Sequence, residues 1–186
     1  PGVKVVSPAT AYDAKGLIKA AIRDNNPVLY FEHKFLYRRI KGEVPEDDYI
    51  VPIGKGDIKR EGKDMTVVAY SSAVHWALEA AEIIEKEGVS VEVLDLRSIL
   101  PYDKELILQS VRKTNRVIVA HEATLTGGVG GDIAAFITEH AFESLDAPVK
   151  RLAAIDTPVP YSPPLEAYFL PNKDKMLAMM RELAAY

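Results

Sequence analysis

The chain has no cysteine, one tryptophan and four histidines among its 186 residues. Without thiols it can form neither disulfides nor thiolate metal sites, and a reducing compartment suits such a composition. No two histidines stand at a metal-ligand spacing such as H-x-x-x-H, so no histidine-held metal site is written in it. No apolar run approaches the roughly 20 residues of a membrane helix, and no signal peptide is visible. Positive charge is not in excess: 23 Lys and Arg against 27 Asp and Glu leave a net charge of −4. A nucleic-acid binder needs a basic face, so neither nucleic acid nor a membrane is expected as a partner. What is present is apolar material, 48% of the residues, enough for one domain or a domain plus a piece of another. The opening PGVKVVSPAT begins on Pro1 and leads straight into a strand-like run, without turn or cap. It reads as the middle of something longer, a truncation or a processing cut; a mature terminus at Pro1 is the alternative.

Periodicity supplies the organisation. Thr10 opens a helix in which Ala14, Leu17, Ile18, Ala21 and Ile22 form one stripe, with Asp13 standing where a capping box has Glu. Asp24-Asn25-Asn26-Pro27 stops it, and Val28 to Phe31 is a short strand. Residues 34–62 carry charges, Pro45, Pro52 and glycines without a sustained period, as a linker does. From Met65 the pattern becomes regular. Strands are expected at Thr66–Tyr70, Val89–Leu94, Val117–Ala120 and Val149–Ile155, with helices between them. Ser71 and Ser72 are placed to cap the first of these helices, Gly88 to close it, and Asp103 to open the second. A Pro-rich passage, TPVPYSPPLEAYFLP, crosses to a last helix whose Met176, Met179, Met180, Leu183 and Ala184 suit a core, or an adaptable contact surface. Strands alternating with helices predict an α/β fold: a three-layer, mostly parallel sheet with helices on both faces. The expected division is residues 1–33, the end of one domain; 34–62, a linker; and 63–186, the α/β domain.

The chemistry-bearing stretch is HEATLTGGVGGDIAAF, residues 121–136. Glycine-rich turns entering helices hold phosphates on free amides. This one fails the dinucleotide fingerprint at Ile133 and lacks the Lys of a phosphate loop. Asp132, in the first helical turn, would compete with a bound phosphate. Close approach of backbone to a neighbouring element is the competing explanation for Gly127, Gly128, Gly130 and Gly131. His121-Glu122 ends a strand, where α/β sheets place their ligands, yet neighbouring strand residues point to opposite faces. His140 falls on an apolar helical face, where a satisfied core or interface histidine is expected. His75 has no evident partner, and His33 is flanked by Glu32 and Lys34. At the first helix end, the carbonyl of Ala21 with Asp24 and Asn26 forms an oxygen-rich group that could hold a hard cation, although Asx residues commonly end helices without one.

Taken together, the motifs resemble a family. PGVKVVSPATAYDAKGLIKAAIRDNNPVLYFEHKFLYR is similar to the end of the pyrimidine-binding domain of beta subunits of thiamine-diphosphate-dependent 2-oxoacid dehydrogenases. VVAYSSAVHWALEAAEIIEKEGVSVEVLDLRSILPYD resembles the start of their transketolase-type C-terminal domain, and HEATLTGGVGGDIAA, LDAPVKRL and DTPVPYSPPLEAYFLPN continue it in order to Tyr186. The resemblance implies the decarboxylating first component of a multienzyme complex, which passes an acyl group from a 2-oxoacid to lipoamide. It implies thiamine diphosphate and magnesium in an intact heterotetramer, bound between alpha and beta subunits and not by this portion. The glutamate that activates the pyrimidine and the catalytic histidine would lie upstream of Pro1, so no catalytic or cofactor-binding residue is expected here. None of His33, His75, His121 or His140 matches the catalytic position.

Two further expectations come with the resemblance. One is half of a potassium site at Ala21, Asp24 and Asn26. The other is a set of interfaces: with the alpha subunit, with a second beta subunit, and with the subunit-binding domain of the acyltransferase core. Gly127, Gly128, Gly130, Gly131 and Tyr186 are expected near such surfaces. HEATLTGG and DTPVPY lean towards branched-chain substrates over pyruvate or acetoin, and the expected location is the cytoplasm, or the mitochondrial matrix in a eukaryote. The alternatives are a free-standing nucleotide-binding module using the glycine loop, and the end of another thiamine enzyme such as a transketolase or deoxyxylulose phosphate synthase.

Overall fold

A computed structural model describes residues 2–186. The chain opens with β1 (Lys4–Val6), α1 (Ala11–Ile22) and β2 (Val28–Tyr30). A long irregular stretch leads to β3 (Asp57–Arg60), β4 (Met65–Ala69), α2 (Ser72–Ile84), β5 (Val91–Asp95) and β6 (Ser98–Leu100). Then follow α3 (Lys104–Thr114), β7 (Val117–Thr124), α4 (Gly130–Ala141), β8 (Lys150–Ala154), α5 (Pro163–Phe169) and α6 (Lys173–Ala184). The main sheet has the order β3-β5-β4-β7-β8. Its last four strands are parallel, and β3 runs antiparallel at the edge.

The period-2 geometry of β4 explains the layers. Met65, Val67 and Ala69 point to one face and join Val74, Ala77 and Ala81 of α2 and Met176, Met180 and Leu183 of α6. Val68 points to the other and joins Ile107 and Val111 of α3 and Ile133, Phe136 and Ile137 of α4. Each such apolar side chain contributes about 1.5–3 kcal/mol on full burial. The α/β three-layer expectation therefore holds, and the methionine stripe of α6 is core.

Local signals act where polar groups find partners. Thr10 accepts the Asp13 amide at 3.1 Å, and Asp103 accepts the Leu106 amide at 3.2 Å. Gly88 closes the α2 turn at φ 89°. Ser71 and Ser72 depart from their expected capping role: Ser71 makes no side-chain cap bond, and the Ser72 hydroxyl donates instead to Glu122 Oε2 at 2.7 Å. Of the two placements expected for His140, core and interface, the core one fails. The residue is exposed, with Nδ1 2.9 Å from the Phe136 carbonyl.

A second, three-stranded sheet has the order β2-β1-β6. β1 pairs in parallel with β2, while β6 reaches over from the α/β unit to pair antiparallel with β1. The N-terminal unit therefore shares a sheet with the rest. Residues 34–62 run along α1 before contributing β3 to the main sheet: Tyr49 stacks on Tyr12 at 4.5 Å, and Asp48 pairs with Lys19 and Arg23 at 2.6 and 2.8 Å.

The two units are pinned by buried charge. Asp13 is fully buried. It lies 2.7 Å from Lys59 Nζ of β3 and 2.7 Å from Arg97 Nε, the latter a charge contact without an aligned hydrogen bond. Both cations also reach Asp57, each at 2.8 Å. Burial opposes the charge on Lys59, but its bonds to Asp13 and Asp57 outweigh that and raise its pKa. Asp95, fully buried, accepts the Arg97 amide at 3.0 Å. Burial pushes its carboxyl up to about 7, against the downward pull of Lys59 and the Arg97 amide.

Asp13→Ala leaves two half-paired cations at the junction and should cost about 3–5 kcal/mol. Hydrogen exchange should quicken in β1 and α1 while β4, β5 and β7 stay protected; unchanged protection of α1 would refute the pin. The raised pKa of Asp95 sets a pH dependence of definite sign. Between about pH 4 and pH 7 the folded chain keeps a proton that the unfolded chain has released. This stabilising contribution is full below about pH 4 and is lost as pH rises towards 7. Asp95→Asn should flatten that decline between pH 5 and 8 in urea unfolding; an unaltered slope would exclude Asp95 as its source.

Candidate functional site

The C-terminal end of β7 carries His121 and Glu122, and the pleat sends them to opposite faces. His121 is 1% exposed. Its Nδ1–H donates to the Ala123 carbonyl at 3.1 Å, because a carbonyl can only accept, and Nε2 has no partner among the described residues. Burial lowers its pKa, and the charge of Arg151 adds to this against the Ala123 bond, so the ring is neutral at pH 7. The ring lies under the glycine loop. A Cβ on Gly128 would stand 2.5 Å from His121 Cε1 and 2.5 Å from the Thr124 carbonyl oxygen; one on Gly130 would stand 2.5 Å from His121 Nε2. These two glycines make room for an imidazole of the same chain. Gly127 turns the loop at φ 75°, and Gly131 passes Arg151, which donates to the Leu125 carbonyl at 3.2 Å. Asp156 fastens the loop from outside, accepting the amide and hydroxyl of Thr126 at 2.9 and 2.7 Å. His121 thus accounts for Gly128 and Gly130 from beneath, while the outer side of the loop is an open hollow of about 380 Å³ between Gly127, Gly131 and Arg151, with Asp132 in the first turn of α4 set against an anion there.

On the opposite face Glu122 draws three elements together. Oε2 accepts from Ser72 of α2 at 2.7 Å and from His33 Nε2 at 2.7 Å. These residues line a cleft of about 510 Å³ with Phe31, Tyr70, Ser71 and Ile99. From β4 the chain passes through α2 to β5 on one side, and later through α3 to β7 on the other. The cleft therefore lies where the strand order of a doubly wound sheet reverses, the usual ligand position. Ser71 turns the chain from β4 into α2 at φ 54° and ψ −130°, a strained conformation for a residue with a Cβ. Reading the sequence missed this gathering because His33, Ser72 and Glu122 are far apart in the chain; the serine pair at a strand end was its only local sign.

The other candidate residues are dispersed. His75 reaches back to the N-terminal unit, 2.8 Å from the Ala9 carbonyl. At the end of α1, Asp24 is paired with Lys4, and its Oδ1 accepts from the Asn26 amide and side chain at 2.9 and 3.2 Å. The Lys4 bond, followed by the Asn26 amide, holds the Asp24 carboxyl down at about 2. The carboxylate is thereby engaged by Lys4, and the Ala21 carbonyl accepts the Asp24 amide at 3.3 Å. Tyr186 is 60% exposed at the chain end.

Gly130→Ala should overpack the His121 ring and destabilise by roughly 1–3 kcal/mol. In a His121→Ala background the same change should cost much less, and equal costs in both backgrounds would show that the ring is not what the glycine accommodates.

Comparison with known proteins places this geometry. The sequence model of the transketolase C-terminal domain matches residues 54–176. Over its whole length the chain is 56% identical to the 2-oxoisovalerate dehydrogenase subunit beta of Bacillus subtilis (strain 168) and covers 57% of that protein. It is 50% identical to the same organism's acetoin:2,6-dichlorophenolindophenol oxidoreductase subunit beta, with 98% of the chain aligned to 53% of that protein. Against the pyruvate dehydrogenase E1 component subunit beta, again from Bacillus subtilis, the figures are 47% identity, the whole chain, and 57% of the relative. The chain thus spans little more than half the length of these relatives. Among solved structures, a split-gene transketolase described as an inactive beta4 tetramer superposes with a TM-score of 0.81 at 28% identity, over the whole chain and 58% of that one. The alignment runs through the N-terminal unit, the glycine loop and α6 alike, so the likeness to beta subunits of 2-oxoacid dehydrogenases extends along the whole chain. With more than half of its residues matched by the family model and the same layered sheet beneath them, the chain belongs to the transketolase C-terminal domain family.

Proposed function

We propose that this chain is the C-terminal part of the beta subunit of a 2-oxoacid dehydrogenase first component, and that it serves assembly of a thiamine-dependent enzyme. The observation that carries this reading is the 56% identity, over the whole chain, to a 2-oxoisovalerate dehydrogenase subunit beta. The order of identities, above the acetoin and pyruvate relatives, favours a branched-chain 2-oxoacid. In the whole enzyme, thiamine diphosphate with magnesium would supply the carbanion chemistry of decarboxylation. Gly128 and Gly130 are accounted for by the His121 ring beneath them, without the cofactor. The described residues' own part is structural: Asp13, Lys59 and Arg97 fix the N-terminal unit on the sheet, and Glu122 holds His33 over its end.

The alpha subunit, a second beta subunit and the subunit-binding domain of the acyltransferase core are the partners this reading assigns. Exposed apolar residues suit that role, with Ile22 in the N-terminal unit, Tyr37 in the stretch that follows it, and Val159, Tyr161, Tyr168 and Tyr186 towards the C-terminus. Gly127 and Gly131, on the outside of the loop, and Tyr186 are proposed to lie near such contacts. A potassium ion at the Ala21–Asn26 turn would tie the end of α1 to that assembly. A free-standing nucleotide-binding module is disfavoured by the imidazole inside its candidate loop. The end of a transketolase is disfavoured by the lower identity of the split-gene relative.

Joined to the remaining part of a beta subunit and coexpressed with an alpha subunit, the chain should yield a complex that releases CO2 from 2-oxoisovalerate faster than from pyruvate. That release should require thiamine diphosphate and magnesium, and the chain alone should release none. A correctly assembled complex without thiamine-dependent decarboxylation would overturn the proposal.

A further inference from the structure

The cleft at the strand-order reversal has properties that assembly does not use. Glu122 receives both of its hydrogen bonds, from Ser72 and His33, on Oε2. Oε1 is left without a hydrogen bond among the described residues, on a side chain that is 36% exposed. A carboxylate held by two donors on one oxygen offers the other in a fixed direction, so little orientational freedom is lost when a donor binds there. No lysine or arginine lines the cleft, and Glu32 adds a second negative charge at its rim. The remaining walls are largely apolar and aromatic, from Phe31, Tyr70 and Ile99. The Tyr70 hydroxyl is pushed up first by burial and then by the charge of Glu122, so the carboxylate's field reaches that wall. A cavity of about 510 Å³ is of the size that holds small molecules. The strained turn at Ser71 opens onto the same space.

From this arrangement we propose that the cleft binds a small organic ammonium compound, its cationic head on Glu122 Oε1 and its apolar body against Phe31, Tyr70 and Ile99. The ligand carries no carboxylate of its own, because Glu32 and Glu122 would repel one. Binding there bridges β7, the start of α2 and the N-terminal unit at His33, so occupancy also tightens the junction between the two units. The proposal is independent of the decarboxylase reading, since it concerns only groups within this chain.

Three probes that share one cyclohexyl body separate the terms: cyclohexylammonium, cyclohexanol and cyclohexanecarboxylate, titrated into the chain and followed by calorimetry and by NMR shifts of His33 and Tyr70. The ammonium should bind saturably, the alcohol about tenfold more weakly, and the carboxylate not at all. Glu122→Gln should weaken ammonium binding about tenfold while circular dichroism remains unchanged. Ser72→Ala, which keeps the charge but frees the carboxylate to turn, should weaken it by a smaller factor. Absence of saturable ammonium binding, equal binding of alcohol and ammonium, or undiminished affinity in a folded Glu122→Gln variant would each overturn the proposal.

Discussion

A fully buried carboxylate, Asp13, is the constraint on which the arrangement of this chain rests. A charge in that position is tolerated only with opposite charges in contact. Lys59 and Arg97 come from different parts of the α/β unit, one on the edge strand β3 and one in the turn between β5 and β6. Asp13 sits in the first turn of α1, where the Thr10 hydroxyl also donates to it at 2.6 Å. The helix start, the edge strand and the β5–β6 turn are thereby held to one another within hydrogen-bonding distance. Once they are, β6 lies beside β1 and the three-stranded sheet closes. His33, at the far end of that sheet's unit, is then carried over the end of β7.

The same economy explains the glycine loop. A phosphate cradle needs open amides at a helix start and a vacant space before them. Here the inner side of the loop belongs to His121, a neutral ring with one nitrogen on the Ala123 carbonyl and its edge against Gly128 and Gly130. The glycines are required by a side chain approaching from inside the fold and not by a ligand approaching from outside. A loop of the same composition can serve either purpose, so composition does not separate the two; the occupant of the space does.

Much of the fold was legible from periodicity. The four parallel strands and the helices between them announce themselves by apolar spacing, and Thr10, Gly88 and Asp103 mark ends by chemistry that acts within a few residues. β3 and β6 gave no such signal. β3 is the half-exposed run Asp57-Ile58-Lys59-Arg60, whose charges face partners in other elements, and β6 is three residues long. Both exist because a neighbouring strand offers hydrogen bonds, which is tertiary information. α5 begins on Pro163-Pro164, read as a crossing, although proline suits a first helical turn. The site was less legible than the fold. His121-Glu122 stood out as a pair, yet neither residue works with the other: one partners Gly128 and Gly130, the other Ser72 and His33. Contacts spanning tens of residues leave no spacing to read.

Two adjacent residues therefore settle what the end of β7 can do. In a doubly wound sheet this end offers two places for a ligand, the loop leading into the following helix and the crevice beside the neighbouring strand. The pleat gives residue 121 to the first and residue 122 to the second. His121 fills the inner side of the loop, and a buried imidazole cannot yield that space without leaving a void. Glu122 fills its place only in part, spending one oxygen on Ser72 and His33 and keeping the other. Packing beneath the loop and leaving a carboxylate oxygen free in the crevice are both consequences of one strand's alternation.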